Sequence, residues 1–312
     1  MWRIWTSRLG GFWPGLLLLA AGLAVSPQPV LAQQQAEVSI EELRRQAEAG
    51  VPEARRELGI ALMLRNGTTD LVEARRWLRL ASEAGDAEAK NAYAGLLLNG
   101  AGGPIDASEG QRLLLEAAAE GSVGANFTLS MALRNGSASF PRDPVRAFTH
   151  MEAAARLVTG VGAPRIHWEL GMMHLQGIGT PANAEVAYRW VSRAADAGGI
   201  NGMISRAVML ATGEGVAEDD VAARSWYVRA SELDDPLFAH ALRGLGSMLV
   251  SGEGGERDVS RGIAYLRIAQ AGNDENARIL LERWRDLITP EVDREAWRIA
   301  NEWMAEHMPS DD

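Results

Sequence analysis

Five histidines, His150, His167, His174, His240 and His307, are the residues of this 312-residue chain best suited to metal or acid–base chemistry. His167 and His174 lie seven apart and share a helical face. Their separation along a helix axis is ~10 Å at about 1.5 Å per residue, too far for one metal ion. The stretch His167-Trp-Glu-Leu-Gly-Met-Met-His174 also lacks the spacing of an H-E-x-x-H zinc motif. The chain has no cysteine, which removes disulfide frameworks, thiolate metal sites and cysteine nucleophiles. Gly213-Glu-Gly215 and Gly252-Glu-Gly254-Gly255 lack the preceding strand that a phosphate or dinucleotide loop requires. There is no G-x-S-x-G elbow, and Lys90, the single lysine, has Ala87 three places earlier, so S-x-x-K is missing too. Acidic residues are common, but no pair separates from the helix-capping ladder described next. The expectation is a non-enzyme without metal or cofactor.

What the residues do show is a repeat. Gly67, Gly100, Gly136, Gly177, Gly213 and Gly252 recur at spacings of 33, 36, 41, 36 and 39 residues. Six residues before each lies a small residue: Ala61, Ala94, Ser130, Gly171, Ala207 and Gly246. After each glycine comes Asp70, Asp106, Asp143, Asn183, Asp219 or Asp258. A small residue, a bulky slot (Trp77, Leu113, His150, Trp190, Trp226, Tyr265) and an alanine then follow at helical spacing. Glycine ends a first helix, A, by taking the left-handed conformation. The Asp/Asn ladder caps a second helix, B, by accepting its free N–H groups. Small residues let A and B approach closely, and the bulky slot fills the gap between units. The unit is a helical hairpin of about 36 residues that stacks on its neighbours.

The stretch Leu170-Gly-Met-Met-His-Leu-Gln-Gly-Ile-Gly179, Ala187-Tyr-Arg-Trp190 and the closing Ala-Ala-Asp-Ala-Gly resembles a Sel1-like repeat. The next unit, Gly213-Glu-Gly215-Val216 through Asp219 to Trp226-Tyr227, is nearly as close. The resemblance covers six units over residues 47–273 and implies an all-α, right-handed α-solenoid of stacked hairpins. It further implies adaptor work, in which a curved array holds another protein. The first unit departs from the pattern in its short loop between Gly67 and Ala74. The third departs in carrying His150 in the tryptophan slot, and the fifth in closing on Leu233-Asp234-Asp235.

The ends differ from the repeats. Residues 1–32 read as a secretory signal peptide: Arg3 and Arg8 precede the apolar run Leu16–Val25, and Val30-Leu31-Ala32 offers a cleavage site. Removing those two positive charges from the formal −10 leaves about −12, a poor match to nucleic acid or an anionic membrane surface. Residues 33–46 read as a leader and an N-terminal capping helix, with Ser39 and Glu42 as its capping box. Residues 274–308 read as C-terminal capping helices, restarted at Pro290, and 309–312 as a disordered tail. No membrane insertion is expected to persist once the signal is cleaved.

Two features fall outside the ladder. His174 occupies a slot that is Leu64, Leu97, Leu133, Leu210 or Leu249 in the other units, which reads as a core imidazole that must find hydrogen-bond partners. Just ahead of the small residue of helix A, Asn91, Phe127, Trp168, Met203 and Arg243 form a mixed slot beside His167. Such variety fits either a partner-binding groove or a partly buried, tolerant surface. The expected function is an exported binding scaffold or adaptor, periplasmic or secreted, that engages an envelope protein. Cell-wall glycan binding through Trp168, and β-lactam or peptidoglycan hydrolysis, are the alternatives.

Overall fold

The computed structural model describes residues 39–233 and 235–307. The signal-peptide and tail readings, and the leader as far as residue 38, lie outside the described residues. Among the described residues there are fifteen α-helices and no strand. The chain forms two compact units, one ending at Leu157 and the other beginning at Val158.

The first unit contains α1 (Ile40–Glu48), α2 (Pro52–Arg65), α3 (Thr68–Glu83), α4 (Ala87–Asn99), α5 (Ala107–Ala119), α6 (Val123–Asn135) and α7 (Pro144–Leu157). The second begins with a 3-10 turn, Gly160–Gly162, and continues with α8 (Ala163–Gln176), α9 (Ala184–Asp196), α10 (Ile200–Thr212), α11 (Asp220–Ser231), α12 (Phe238–Ser251) and α13 (Val259–Ala271). It ends with α14 (Glu275–Arg283), a 3-10 turn Arg285–Leu287, and α15 (Pro290–His307). The even-numbered helices α2 to α12 are the A helices and the odd-numbered α3 to α13 the B helices. The fold is an all-α solenoid of stacked hairpins.

The ladders explain the hairpin. In five repeats the Asp/Asn side chain caps helix B, as in the 2.9 Å bond from Ala222 N–H to Asp219 and the 3.0 Å bond from Glu109 N–H to Asp106. The capping residue's own N–H reaches back to helix A. Asp106 donates to the Leu97 carbonyl, Asp143 to Leu133, Asn183 to His174, Asp219 to Leu210 and Asp258 to Leu249, at 2.8–3.0 Å. The same residue therefore starts one helix and ties it to the end of the other. The small residues meet across this hairpin: the Ser130 hydroxyl donates to the Ala147 carbonyl at 2.7 Å. A Cβ added at Gly246 would lie 2.9 Å from the Gly262 carbonyl oxygen.

The first repeat is built differently. Asn66, with φ of 55°, takes the left-handed place after α2, while Gly67 is extended and precedes α3. The glycine expected to end helix A has slipped one residue. Asp70 lies inside α3 and pairs with Arg65 at 3.3 Å instead of capping. The physical cause is the short loop: with no room for a separate capping residue, α3 starts directly at Thr68. The slip also turns Leu64 outward to 56% exposure, whereas Leu97, Leu133, Leu210 and Leu249 are buried.

Neighbouring repeats lock through the loop. In the Gly100–Gly102, Gly213–Gly215 and Gly252–Gly254 pairs the second glycine has positive φ and lies on the start of the preceding B helix. A Cβ at Gly102 would fall 2.2 Å from the Leu71 carbonyl oxygen, and one at Gly215 only 2.1 Å from that of Ala184. Only glycine fits there. Beside it, Arg75 donates to the Pro104 carbonyl at 2.7 Å and Arg224 to that of Glu256 at 3.0 Å, clasping the next loop. At the end of the second unit, α15 buries Ala296 and Ala300 and packs Ile299, Trp303 and Met304 against the core of α12, α13 and α14.

Candidate functional site

The mixed slot of helix A is largely used in joining repeats. Asn91 on α4 accepts from the Thr128 hydroxyl of α6 at 3.2 Å. Trp168 on α8 is half-buried, and its indole N–H donates to the Ser205 hydroxyl of α10 at 2.9 Å. Arg243 on α12 pairs with Asp274, the N-cap of α14, at 2.8 Å. Arg56 on α2 makes the equivalent link to Asp86, the N-cap of α4, at 2.7 Å. Phe127 and Met203 are buried, with 6% and 4% exposure, and have almost no surface for a partner. Met203 is also one residue out of register: four residues separate it from Ala207, and Ile204 occupies the slot. Polar residues fall here because adjacent A helices present side chains to each other at a partly wet contact. Varied composition at this slot is met by varied linkages.

The histidines do not gather. His150 accepts burial in the bulky slot of the third repeat, where Nδ1 lies 2.9 Å from Oδ1 of Asn126. The Asn126 amide donates to the Ala118 and Ser122 carbonyls, so its oxygen is an acceptor and His150 carries a proton on Nδ1. Burial pushes the His150 pKa down, with a further contribution from Arg146. The His167 ring lies 5.3 Å from that of Trp190, and His174 is half-buried at the end of α8. His307 stacks on Trp303 at 4.3 Å. Among the described residues no group of three or more His, Asp or Glu side chains is placed to hold a metal ion.

Lys90 is only 6% exposed and pairs with Glu116 at 2.9 Å and Glu120 at 2.5 Å on α5. The bonds to Glu120 and Glu116 raise its pKa, which is the opposite of what a lysine nucleophile needs. A cleft of about 330 Å³ opens beside it, and its Arg79, Arg112, Glu83, Glu109 and Glu116 side chains are paired among themselves.

The bulky slot carries cations that were not singled out in the sequence. Arg193 lies over Trp190 at 4.5 Å, and Arg229 lies over Trp226 at 4.1 Å. Arg206 lies over the same Trp226 ring at 4.3 Å and pairs with Asp196 at 2.7 Å. The legible signal was Trp-x-x-Arg in two consecutive repeats, three residues being the distance that brings side chains together on a helix. Trp77 and Trp226 are buried and Trp190 half-buried, as packing residues of the ladder.

Stacked, capped hairpins with paired small residues and a double-glycine loop define a helical repeat protein. The family described as Sel1 repeat matches residues 52–86, 87–122, 124–157, 167–199, 201–235 and 239–283. The chain belongs to the Sel1 repeat family, whose members are protein-interaction scaffolds. Among curated proteins none matches. Among solved structures, the chain is similar to a protective antigen of uropathogenic Escherichia coli that displays an SLR fold, with a TM-score of 0.68 and 24% identity. That match covers 86% of this chain and 57% of the antigen. It is also similar to a Sel1 repeat protein from Oxalobacter formigenes, with a TM-score of 0.64 and 20% identity over 83% of this chain and 98% of that one. At these identities the likeness is one of fold.

Proposed function

We propose that this chain is an exported, non-catalytic scaffold that holds a protein of the cell envelope. The observation that carries the reading is the run of six consecutive Sel1 repeats. A repeat array exposes a long series of equivalent side-chain positions and contributes affinity by surface rather than by chemistry. His150, Lys90 and the carboxylates of α5 lend support by being engaged in packing and ion pairs. Export rests on the signal-peptide pattern of residues 1–32. Among the described residues no helix is long and apolar enough to cross a membrane. Glycan stacking on Trp168 has less support, since that ring is half-buried and its N–H is bonded to Ser205.

Two measurements test this. Mass spectrometry of the protein recovered from cells is expected to give a mature chain beginning at Gln33, in the periplasmic or secreted fraction. A full-length chain in the cytoplasm contradicts export. Crosslinking in living cells, with a C-terminal tag, is expected to capture one dominant envelope protein that then binds the purified chain directly. No specific partner, or turnover of a β-lactam or muropeptide by the purified chain, contradicts the scaffold reading.

A further inference from the structure

From the geometry of α9, α10 and α11 we infer a docking surface for an acidic peptide segment, rich in Asp and Glu, of a partner protein. This rests on the scaffold reading and specifies the chemistry of what is held. Two neighbouring repeats carry the same device: Trp190 with Arg193 on α9, and Trp226 with Arg229 on α11, each guanidinium lying over its own indole. In the other repeats the position three after the bulky slot is Leu80, Glu116, Ala153 or Ile268. Arg206 on α10 joins the two, paired with Asp196 of α9 and lying over Trp226 of α11. Its Nε is buried and has no hydrogen-bond acceptor among the described residues.

Many exposed helical arginines meet a glutamate three or four residues away, as Arg79, Arg112, Arg278 and Arg298 do, whereas Arg76, Arg146, Arg189 and Arg283 form no ion pair among the described residues; Arg189 adds to the unpaired charge of α9. Arg193 and Arg229 are exposed, and among the described residues no carboxylate lies within ion-pair distance of either. Asp196, three residues after Arg193 on α9, is taken by Arg206. A guanidinium held over an indole loses less freedom on binding than a free one and still has N–H groups to offer a carboxylate. In a chain of formal charge −10, such a patch attracts an acidic segment while the rest of the surface repels it, which fixes where the segment docks.

The test is fluorescence anisotropy of the purified mature chain with a labelled peptide of alternating Glu and Ala, against a Lys–Ala peptide and a short oligothymidylate. The acidic peptide is expected to bind, and to weaken in about 0.5 M salt, where screening is nearly complete. R193Q/R229Q is expected to weaken it by at least about tenfold, with unchanged circular dichroism. R193K/R229K is expected to fall between, keeping charge but losing the planar fork. R298Q is expected to have no effect. Absence of acidic-peptide binding, binding unaltered by R193Q/R229Q, equal binding of the basic peptide, or tighter binding of the oligothymidylate overturns the inference. The two levels separate in cells. If the wild type and R193Q/R229Q capture the same partner equally, the acidic docking surface fails and the scaffold stands. If the wild type captures none, the scaffold reading fails.

Discussion

The double-glycine loop shows how one residue type sets the fit between repeats. Gly215 has φ of 72° and no room for a side chain against the Ala184 carbonyl, whereas Gly198 has φ of 85° and open space around it. Gly198→Ala is expected to cost about 1 kcal/mol for the left-handed backbone alone. Gly215→Ala is expected to cost at least about 2 kcal/mol, because the backbone of α9 must also move. Urea denaturation of both variants checks the difference. His150 gives a second expectation. Burial lowers its pKa, so the unfolded chain takes up a proton near its ordinary value while the folded chain resists. Its contribution is complete above about pH 6.5 and is lost as the pH falls below that value. Glu73 and Glu109, held below the usual carboxylate range by Arg44 and Arg112, lose theirs only at lower pH. Stability is expected to decline from pH 7.5 to pH 5, and His150→Leu to remove most of that slope. The same variant is expected to cost about 1–2 kcal/mol at pH 7.5, since it strips the donor from Asn126. An unchanged slope in His150→Leu contradicts this placement.

Among the elements, the B helices were legible because their caps are strong local signals. Asp106, Asn183, Asp219 and Asp258 each cap where the sequence puts them. Asp219→Ala is expected to cost about 1 kcal/mol. Asp70→Ala is expected to cost less than about 0.5 kcal/mol, because Asp70 has only a surface pair with Arg65. Equal costs in thermal melts contradict the displaced first repeat. That displacement was hard to read because Asn66 and Gly67 are adjacent and both tolerate the left-handed conformation. The linkages of the helix A slot were not legible for another reason. Side-chain variety at one position looks the same whether the position faces solvent or a different neighbour in each repeat. Trp168 with Ser205 and Arg243 with Asp274 are pairings across more than thirty residues, which helical periodicity does not encode. The Trp-x-x-Arg pairs were visible in the sequence, but their significance depends on which arginines elsewhere find a glutamate.

For the whole molecule, six repeats need a closed end. α15 supplies it in the second unit, placing Ala296 and Ala300 against the core and covering it with Ile299, Trp303 and Met304. A chain ending at Thr289 is expected to lose roughly 5–10 °C in Tm and to expose apolar surface to a hydrophobic dye. An unchanged melting curve contradicts the capping role. The all-α repeat architecture was legible because each landmark recurs six times, so single departures such as His150 did not obscure it. The partner was not legible, because what a scaffold holds depends on surface charge and exposure rather than on the positions that build the hairpin. The most direct measurement of the central claim places a photocrosslinking amino acid at position 193 or 229 in living cells, with position 298 as control, followed by titration of the captured protein against the purified chain. The scaffold account predicts saturable binding of one captured envelope protein by the chain alone, and the docking surface on α9 and α11 further predicts its capture from 193 and 229 but not from 298. Capture of nothing specific from any position, or a captured protein that does not bind the purified chain, contradicts it.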